Sequence, residues 1–293
     1  MKCVVPTILI LGLVFGVAVT TPSAAGAADY IIICSGQSNM TGAAPLNEMP
    51  DEVRPIPANV LYYESGHMAP DPAKIEPMKR FDWTVGGWGA DTRRTYGPLP
   101  RLAHMVAAAH PRDRFIFYME AVGGSALFQW VPDYTPKSIP EKFNLPIGIY
   151  YNANAPRIAT LLKAYPKAKP LAFLWLQGES DTGVMAGVYY DNLKRLVAHM
   201  RKDTGNPDLL VIVAEPCQAD EAVFEAIGKF TREDKHAALV PTRDLSGGGH
   251  KTLHFYPGKP VDELGKRFAA ALLGCMTDGK LTTQPPATQK VSP

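Results

Sequence analysis

Five short, continuously apolar, β-rich runs punctuate the chain: Tyr30–Cys34, Arg114–Met119, Leu171–Leu176, Leu209–Ala214 and Ala237–Pro241. A strand with one face in water alternates apolar and polar residues, whereas a run that stays apolar through five or six positions must be buried on both faces. Between and after these runs lie stretches with apolar residues three and four apart, at Leu99–Ala109, Ala155–Ala164, Val188–Lys202, Ala219–Phe230 and Val261–Leu273. That spacing gives each helix one apolar stripe, and strands alternating with such helices predict an α/β fold, a three-layer α/β/α sandwich around a central parallel sheet.

The ends differ from this pattern. Lys2, the apolar run Val4–Val19 and the small-residue stretch Ala24-Ala25-Gly26-Ala27-Ala28 follow the order of a secretory signal peptide, too short and glycine-broken for a membrane span. Residues 1–28 are therefore expected to be removed, leaving a secreted or periplasmic protein with no membrane attachment. The globular domain is expected over 29–275. Residues 276–293 are rich in Pro and Thr with few apolar side chains, and are expected to form a flexible tail.

The 30 basic and 28 acidic residues leave a net charge of +2. So balanced a chain offers no basic stripe for nucleic acid, which leaves a small or neutral ligand. Beyond Cys3, only Cys34, Cys217 and Cys275 remain, so one disulfide is the maximum and the sequence leaves open whether Cys217 and Cys275 pair. No CxxC spacing occurs, and no metal site is expected.

Chemistry in an open parallel sheet gathers beyond the carboxyl ends of the strands. There the sequence places Ser35-Gly36-Gln37-Ser38-Asn39-Met40, then Glu120-Ala121-Val122-Gly123-Gly124-Ser125, then Gln177-Gly178-Glu179-Ser180-Asp181, and finally His254 before the last helix. A hydroxyl, a glycine N–H, a side-chain amide and an imidazole together fit acyl transfer, in which a base takes the serine proton and donors meet the oxyanion. Ser38 is the candidate nucleophile, His254 the base, and Ser38 N–H, Gly124 N–H and the Gln177 amide the candidate oxyanion donors. Met40 stands where the GxSxG elbow needs its second glycine, which argues against an α/β-hydrolase. Two long segments, 42–96 and 129–153, are expected to wall the site, and their Trp83, Trp88 and Trp130 suit stacking on a sugar ring.

These stretches resemble the SGNH (GDSL-like) hydrolases, specifically the sialate O-acetylesterase and acetylxylan esterase group of carbohydrate esterases. Gly36-Gln37-Ser38-Asn39-Met40 with Gly42 looks like the nucleophile block, and Ala121-Val122-Gly123-Gly124-Ser125 with Trp130 like the glycine block. Trp175-Leu176-Gln177-Gly178-Glu179-Ser180-Asp181 is similar to the WxQGESD block, and Leu253-His254-Phe255 with Glu263–Ala269 to the histidine block, while Gly97-Pro98 also matches. The resemblance implies a flavodoxin-like sandwich, a Ser38–His254 pair, the oxyanion hole just described, Asn39 and Trp130 against an acetylated carbohydrate substrate, and no cofactor. It says nothing about the oligomeric state.

One position departs. Family members usually carry Asp three residues before the histidine, and this chain has Lys251, which cannot accept the imidazole N–H. Glu179 is the first candidate for the missing acid and Asp244 the second, with Asp181 also in reach of the same sheet edge; failing all three, Ser38 and His254 form a dyad. His250 competes with His254 but lacks the following Leu-His-Phe context. Lys251 also motivates the alternative of a non-catalytic carbohydrate-binding protein on the same fold.

Overall fold

The computed structural model describes residues 27–64, 79–80, 95–134, 146–245, 254–255 and 258–277. The strands are β1 (Asp29–Gly36), β2 (Ala44–Pro45), β3 (Val60–Glu64), β4 (Lys79–Arg80), β5 (Thr95–Tyr96), β6 (Arg114–Ala121), β7 (Lys169–Leu176), β8 (Leu210–Ala214) and β9 (Ala237–Val240). The helices are α1 (Ser38–Thr41), α2 (Leu99–Ala109), α3 (Ile149–Ala164), α4 (Val184–Gly187), α5 (Tyr189–Asp203), α6 (Glu221–Glu233) and α7 (Gly258–Thr277). The main sheet runs β4-β3-β6-β1-β7-β8-β9, with all pairs parallel except the short antiparallel β3–β4 edge.

Alternation along the central strands builds the three layers. Ile32 and Cys34 of β1, with Phe115 and Phe117 of β6 and Leu174 and Leu176 of β7, pack toward α2 and α7. Ile31 and Ile33, with Ile116, Tyr118, Phe173 and Trp175, pack toward α3, α5 and α6. Both sets are almost entirely excluded from water, and this is why the strands read as unbroken apolar runs. Gly265 of α7 lies against α2 so closely that an added Cβ would stand 2.5 Å from the Pro98 carbonyl oxygen.

The sequence-derived elements all form, with three departures. The 42–96 segment contains β3, which the sequence reading missed because its VLYYE run alternates buried and half-buried residues near the sheet edge instead of being apolar throughout. Helix α3 begins at Ile149, six residues before the expected start, and carries Pro156 inside it. Proline prefers the first turn of a helix, so Pro156 drew the expected boundary too late. Helix α7 runs to Thr277, two residues beyond the expected end of the domain. The expected signal peptide up to residue 26, the tail from 278, Trp83, Trp88, His250 and Lys251 lie outside the described residues. Cys217 and Cys275 are not joined to each other; they and Cys34 are thiols.

Candidate active site

Strand β1 sits where the order of the sheet turns: the chain builds outward to β6 and β3 on one side and to β7, β8 and β9 on the other. In an open parallel sheet the loops that leave strands on either side of such a point diverge at the carboxyl edge. β1 ends on Gly36, whose φ of +148° suits glycine and where a Cβ would stand 2.0 Å from the Leu176 carbonyl oxygen. With that space clear, Gln37 N–H reaches Leu176 O at 3.0 Å and delivers Ser38 as the first residue of α1.

His254 Nε2 lies 3.0 Å from Ser38 Oγ. Partial burial disfavours the imidazolium and holds the His254 pKa below its ordinary value. A neutral imidazole at hydrogen-bond distance from a hydroxyl is the arrangement needed to take its proton. Ser38 is 5% exposed. Gly124 follows β6 with φ +71°, and an added Cβ there would meet nothing within 4 Å, so this turn borders open space. Among the described residues neither Ser38 N–H nor Gly124 N–H has a protein acceptor.

Gln177 does not share that freedom. It is 0% exposed, and its Nε2 faces Ser125 O at 2.9 Å, Asp181 Oδ2 at 2.6 Å and Gln37 Oε1 at 3.3 Å, while its Oε1 accepts from Tyr189 OH at 3.1 Å. An amide has two hydrogens to donate. Three protein acceptors already compete for them, and the Gln177 amide holds the turn that presents Gly124. Asp181 completes the brace by accepting from Leu127 N–H at 3.1 Å, and burial pushes its carboxyl up to about 7.

The two candidate acids are also placed elsewhere. Glu179 Oε1 accepts from Asn39 Nδ2 at 2.5 Å and from Cys217 N–H at 3.2 Å, and it makes no hydrogen bond to His254. Burial of the carboxylate raises it to about 7, against the lowering effect of the bond from Asn39. Asp244 has a side chain 66% exposed and holds Arg267 with both oxygens, each at 2.6 Å. A carboxylate engaged in a surface ion pair cannot orient a half-buried imidazole. Neither Glu179 nor Asp244 is hydrogen-bonded to His254.

The two substrate-binding candidates, Trp130 and Asn39, are both buried. Trp130 is 1% exposed, donates its indole N–H to Ser125 Oγ at 2.9 Å and packs edge-on to Trp175 with ring centroids 5.5 Å apart. A ring so enclosed has no face for a sugar. Asn39 is 3% exposed, and besides its bond to Glu179 its Oδ1 accepts from Phe255 N–H at 3.1 Å. Sequence reasoning overlooked three contributors to this web: Gln37, Tyr189, which bonds both Gln177 oxygens, and the Cys217 main chain. Gln37 lay within the nucleophile block and was open to notice, whereas nothing in the sequence around Tyr189 or Cys217 marked them.

A parallel α/β/α sandwich with a serine at the exit of its central strand and a histidine brought beside it from the segment before the last helix defines the class as an SGNH-type hydrolase fold. The family model described as carbohydrate esterase, sialic acid-specific acetylesterase matches residues 28–274, and the chain belongs to that family. Among solved structures, the chain is similar to a protein from Arabidopsis thaliana (TM-score 0.62, 18% identity, covering 84% of this chain and 98% of that one). It is similar also to XAC1771, a carbohydrate acetylesterase from Xanthomonas citri (TM-score 0.60, 18% identity, 86% of this chain and 57% of that one), and to NanS (TM-score 0.61, 15% identity, 86% and 98%). At such identities the likeness is one of fold. No curated protein matches the chain.

Proposed function

We propose that the protein is a secreted or periplasmic serine esterase that removes O-acetyl groups from a carbohydrate through an acyl-enzyme on Ser38. The observation that carries this reading is the 3.0 Å approach of His254 Nε2 to Ser38 Oγ at the edge of the central strand, in a chain of a carbohydrate-esterase family. His254 takes the hydroxyl proton as Ser38 Oγ attacks the acetyl carbonyl carbon. The carbonyl oxygen becomes an oxyanion, met by the N–H groups of Ser38 and Gly124. As the intermediate collapses, the sugar oxygen leaves with the proton from His254, and Ser38 keeps the acetyl group. Water then attacks the acyl-enzyme with His254 again as base, releasing acetate and restoring Ser38.

Asn39 and Trp130 have no place in substrate contact on this reading. Secretion rests on the composition of residues 1–28. Hydrolysis of p-nitrophenyl acetate and of acetylated xylan or O-acetylated sialic acid by purified protein tests the proposal, with Ser38→Ala as the control. An intact Ser38 without hydrolysis of any of these esters would favour a protein that binds carbohydrate and does not cleave it.

A further inference from the structure

His254 is followed by Phe255, whose ring is buried and whose N–H donates to Asn39 Oδ1 at 3.1 Å. The other end of the same amide, Asn39 Nδ2, donates to Glu179 Oε1 at 2.5 Å, and Cys217 N–H reaches that oxygen at 3.2 Å. Three separate parts of the sheet edge thus meet: the exit of β1 through Asn39, the exit of β7 through Glu179, and the exit of β8 through Cys217. The main chain that carries the imidazole is tied to them through one amide.

Resting on the acyl-transfer reading of Ser38 and His254, we propose that Glu179 and Asn39 are positioning residues: a carboxylate–amide–main-chain relay that fixes the place of His254 relative to Ser38. The chemistry of the groups gives the relay its direction. An isolated asparagine amide can turn over and exchange its oxygen and nitrogen. Oε1 of Glu179 is an acceptor, so it selects the orientation with Nδ2 toward Glu179 and leaves Oδ1 facing Phe255 N–H. Asn39 is adjacent to Ser38, so the group that holds the histidine segment shares its backbone with the nucleophile. Error in the separation of base and nucleophile is limited accordingly, and a displacement of about 1 Å in such a pair costs on the order of 10²-fold in rate.

The relay works in either protonation state of the acid. Glu179 Oε2 is buried and has no hydrogen-bond partner among the described residues. A proton on Glu179 would sit on Oε2 and leave Oε1 free to accept from Asn39. The relay therefore needs an oxygen acceptor at Oε1 and not a charge, which separates it from a triad acid, whose negative charge stabilises the imidazolium.

The test uses the full chain and four variants: Glu179→Gln, Glu179→Ala, Asn39→Ala and Asn39→Leu. Acetyl-ester hydrolysis, the rate of Ser38 labelling by a fluorophosphonate and the pH dependence of kcat/KM are measured for each. The relay predicts that Glu179→Ala, Asn39→Ala and Asn39→Leu lower kcat by about 10- to 10²-fold with KM changed less than about threefold. Glu179→Gln keeps an oxygen acceptor and is expected to lose less than about tenfold, with the acid limb of its pH profile at the wild-type midpoint. Glu179→Gln losing as much as Glu179→Ala, or shifting that limb by more than about half a pH unit, would overturn the relay in favour of a charge acting on the imidazole. Alanine variants that keep kcat within twofold of wild type would overturn it as well. Should the alanine and leucine variants fail to fold, the Glu179→Gln rate and pH profile decide alone. A wild-type protein that neither hydrolyses acetyl esters nor labels on Ser38 would overturn the underlying reading, a result distinct from active wild type with unaffected variants.

Discussion

Replacing Gln177 with Ala separates two accounts of the same motif. A direct oxyanion donor would leave stability alone and lower kcat by about 10²–10³-fold at constant KM. The observed contacts predict the reverse emphasis. The substitution removes the donor to Ser125 O and to Asp181 Oδ2, and the acceptor for Tyr189 OH. Ser125 is 1% exposed, so water cannot readily replace the lost donor to its carbonyl, and an unsatisfied buried group costs about 1–3 kcal/mol. Asp181 keeps Leu127 N–H and Tyr189 keeps the Gln177 carbonyl, so these two are only partly deprived. The deleted amide also leaves a cavity in a fully buried position. Together these give a destabilisation of about 2–4 kcal/mol, or a fall in melting temperature of about 5–12 °C at this chain length. Loss of the Gln177 bond should also raise the Asp181 pKa further, since that bond lowers it. Thermal unfolding followed by circular dichroism, with acetyl-ester kinetics on the same preparations, measures both quantities. A variant that melts within about 2 °C of wild type and has lost 10²-fold or more in kcat would refute the bracing role and restore Gln177 to the oxyanion hole.

Ser38→Ala is expected to lower kcat by roughly 10⁴–10⁶-fold with an unchanged fold, and residual activity within tenfold of wild type would remove Ser38 from the chemistry. Since His254 must be neutral to act and burial lowers its pKa, kcat/KM should rise with pH through a midpoint below 6.5; a midpoint above that value in a steady-state pH series would contradict the placement. Stability should move the opposite way: Glu64, Glu120, Glu179 and Asp181 are each raised by burial to about 7, so the folded state holds more protons than the unfolded one between about pH 4 and 7. Their contribution is present at low pH and lost as pH rises through 7, and calorimetry should show a lower melting temperature at pH 8 than at pH 5. Trp130→Ala should destabilise by about 3–5 kcal/mol in denaturant titrations, and a selective rise in KM without loss of stability would return Trp130 to the substrate. Asp244→Asn should leave kcat within a few-fold of wild type, because only the surface pair with Arg267 is lost; a drop of 10²-fold would place it in the chemistry after all.

The fold was readable wherever one physical constraint dominated. Strands such as Ile31–Cys34 and Phe173–Leu176 are buried from both faces, and burial on two faces leaves an apolar run that no amphipathic helix shares. Where two constraints overlapped, the reading slipped. At β3 the Tyr62 and Glu64 side chains are buried as a hydrogen-bonded pair, so a strand of the main sheet carries polar atoms inward and does not read as core. At α3 the proline's preference for a helix start competed with the packing of Tyr150 and Tyr151, and packing set the boundary.

At the site, sequence position and side-chain role came apart for a definite reason. The spacing of blocks after β1, β6, β7 and before α7 placed Ser38, Gly124, Gln177 and His254 at one edge, because an open parallel sheet puts all its strand exits there. Spacing does not say which way an amide points. Gln177 and Asn39 each carry two donor hydrogens and one acceptor oxygen, and either could in principle face a ligand. What decides is how many main-chain groups the diverging loops leave without partners. The turn after β6 presents Ser125 O and Leu127 N–H, and the segment after His254 presents Phe255 N–H; these are met by Gln177, Asp181 and Asn39. Diverging loops thus consume polar side chains that hold them in place. Ser38 Oγ, by contrast, meets the histidine, and the Ser38 and Gly124 amides have no acceptor among the described residues. On the proposed acyl-transfer reading, chemistry is accordingly concentrated on fewer groups than the motif contains, and the rest of the motif serves to keep those groups still.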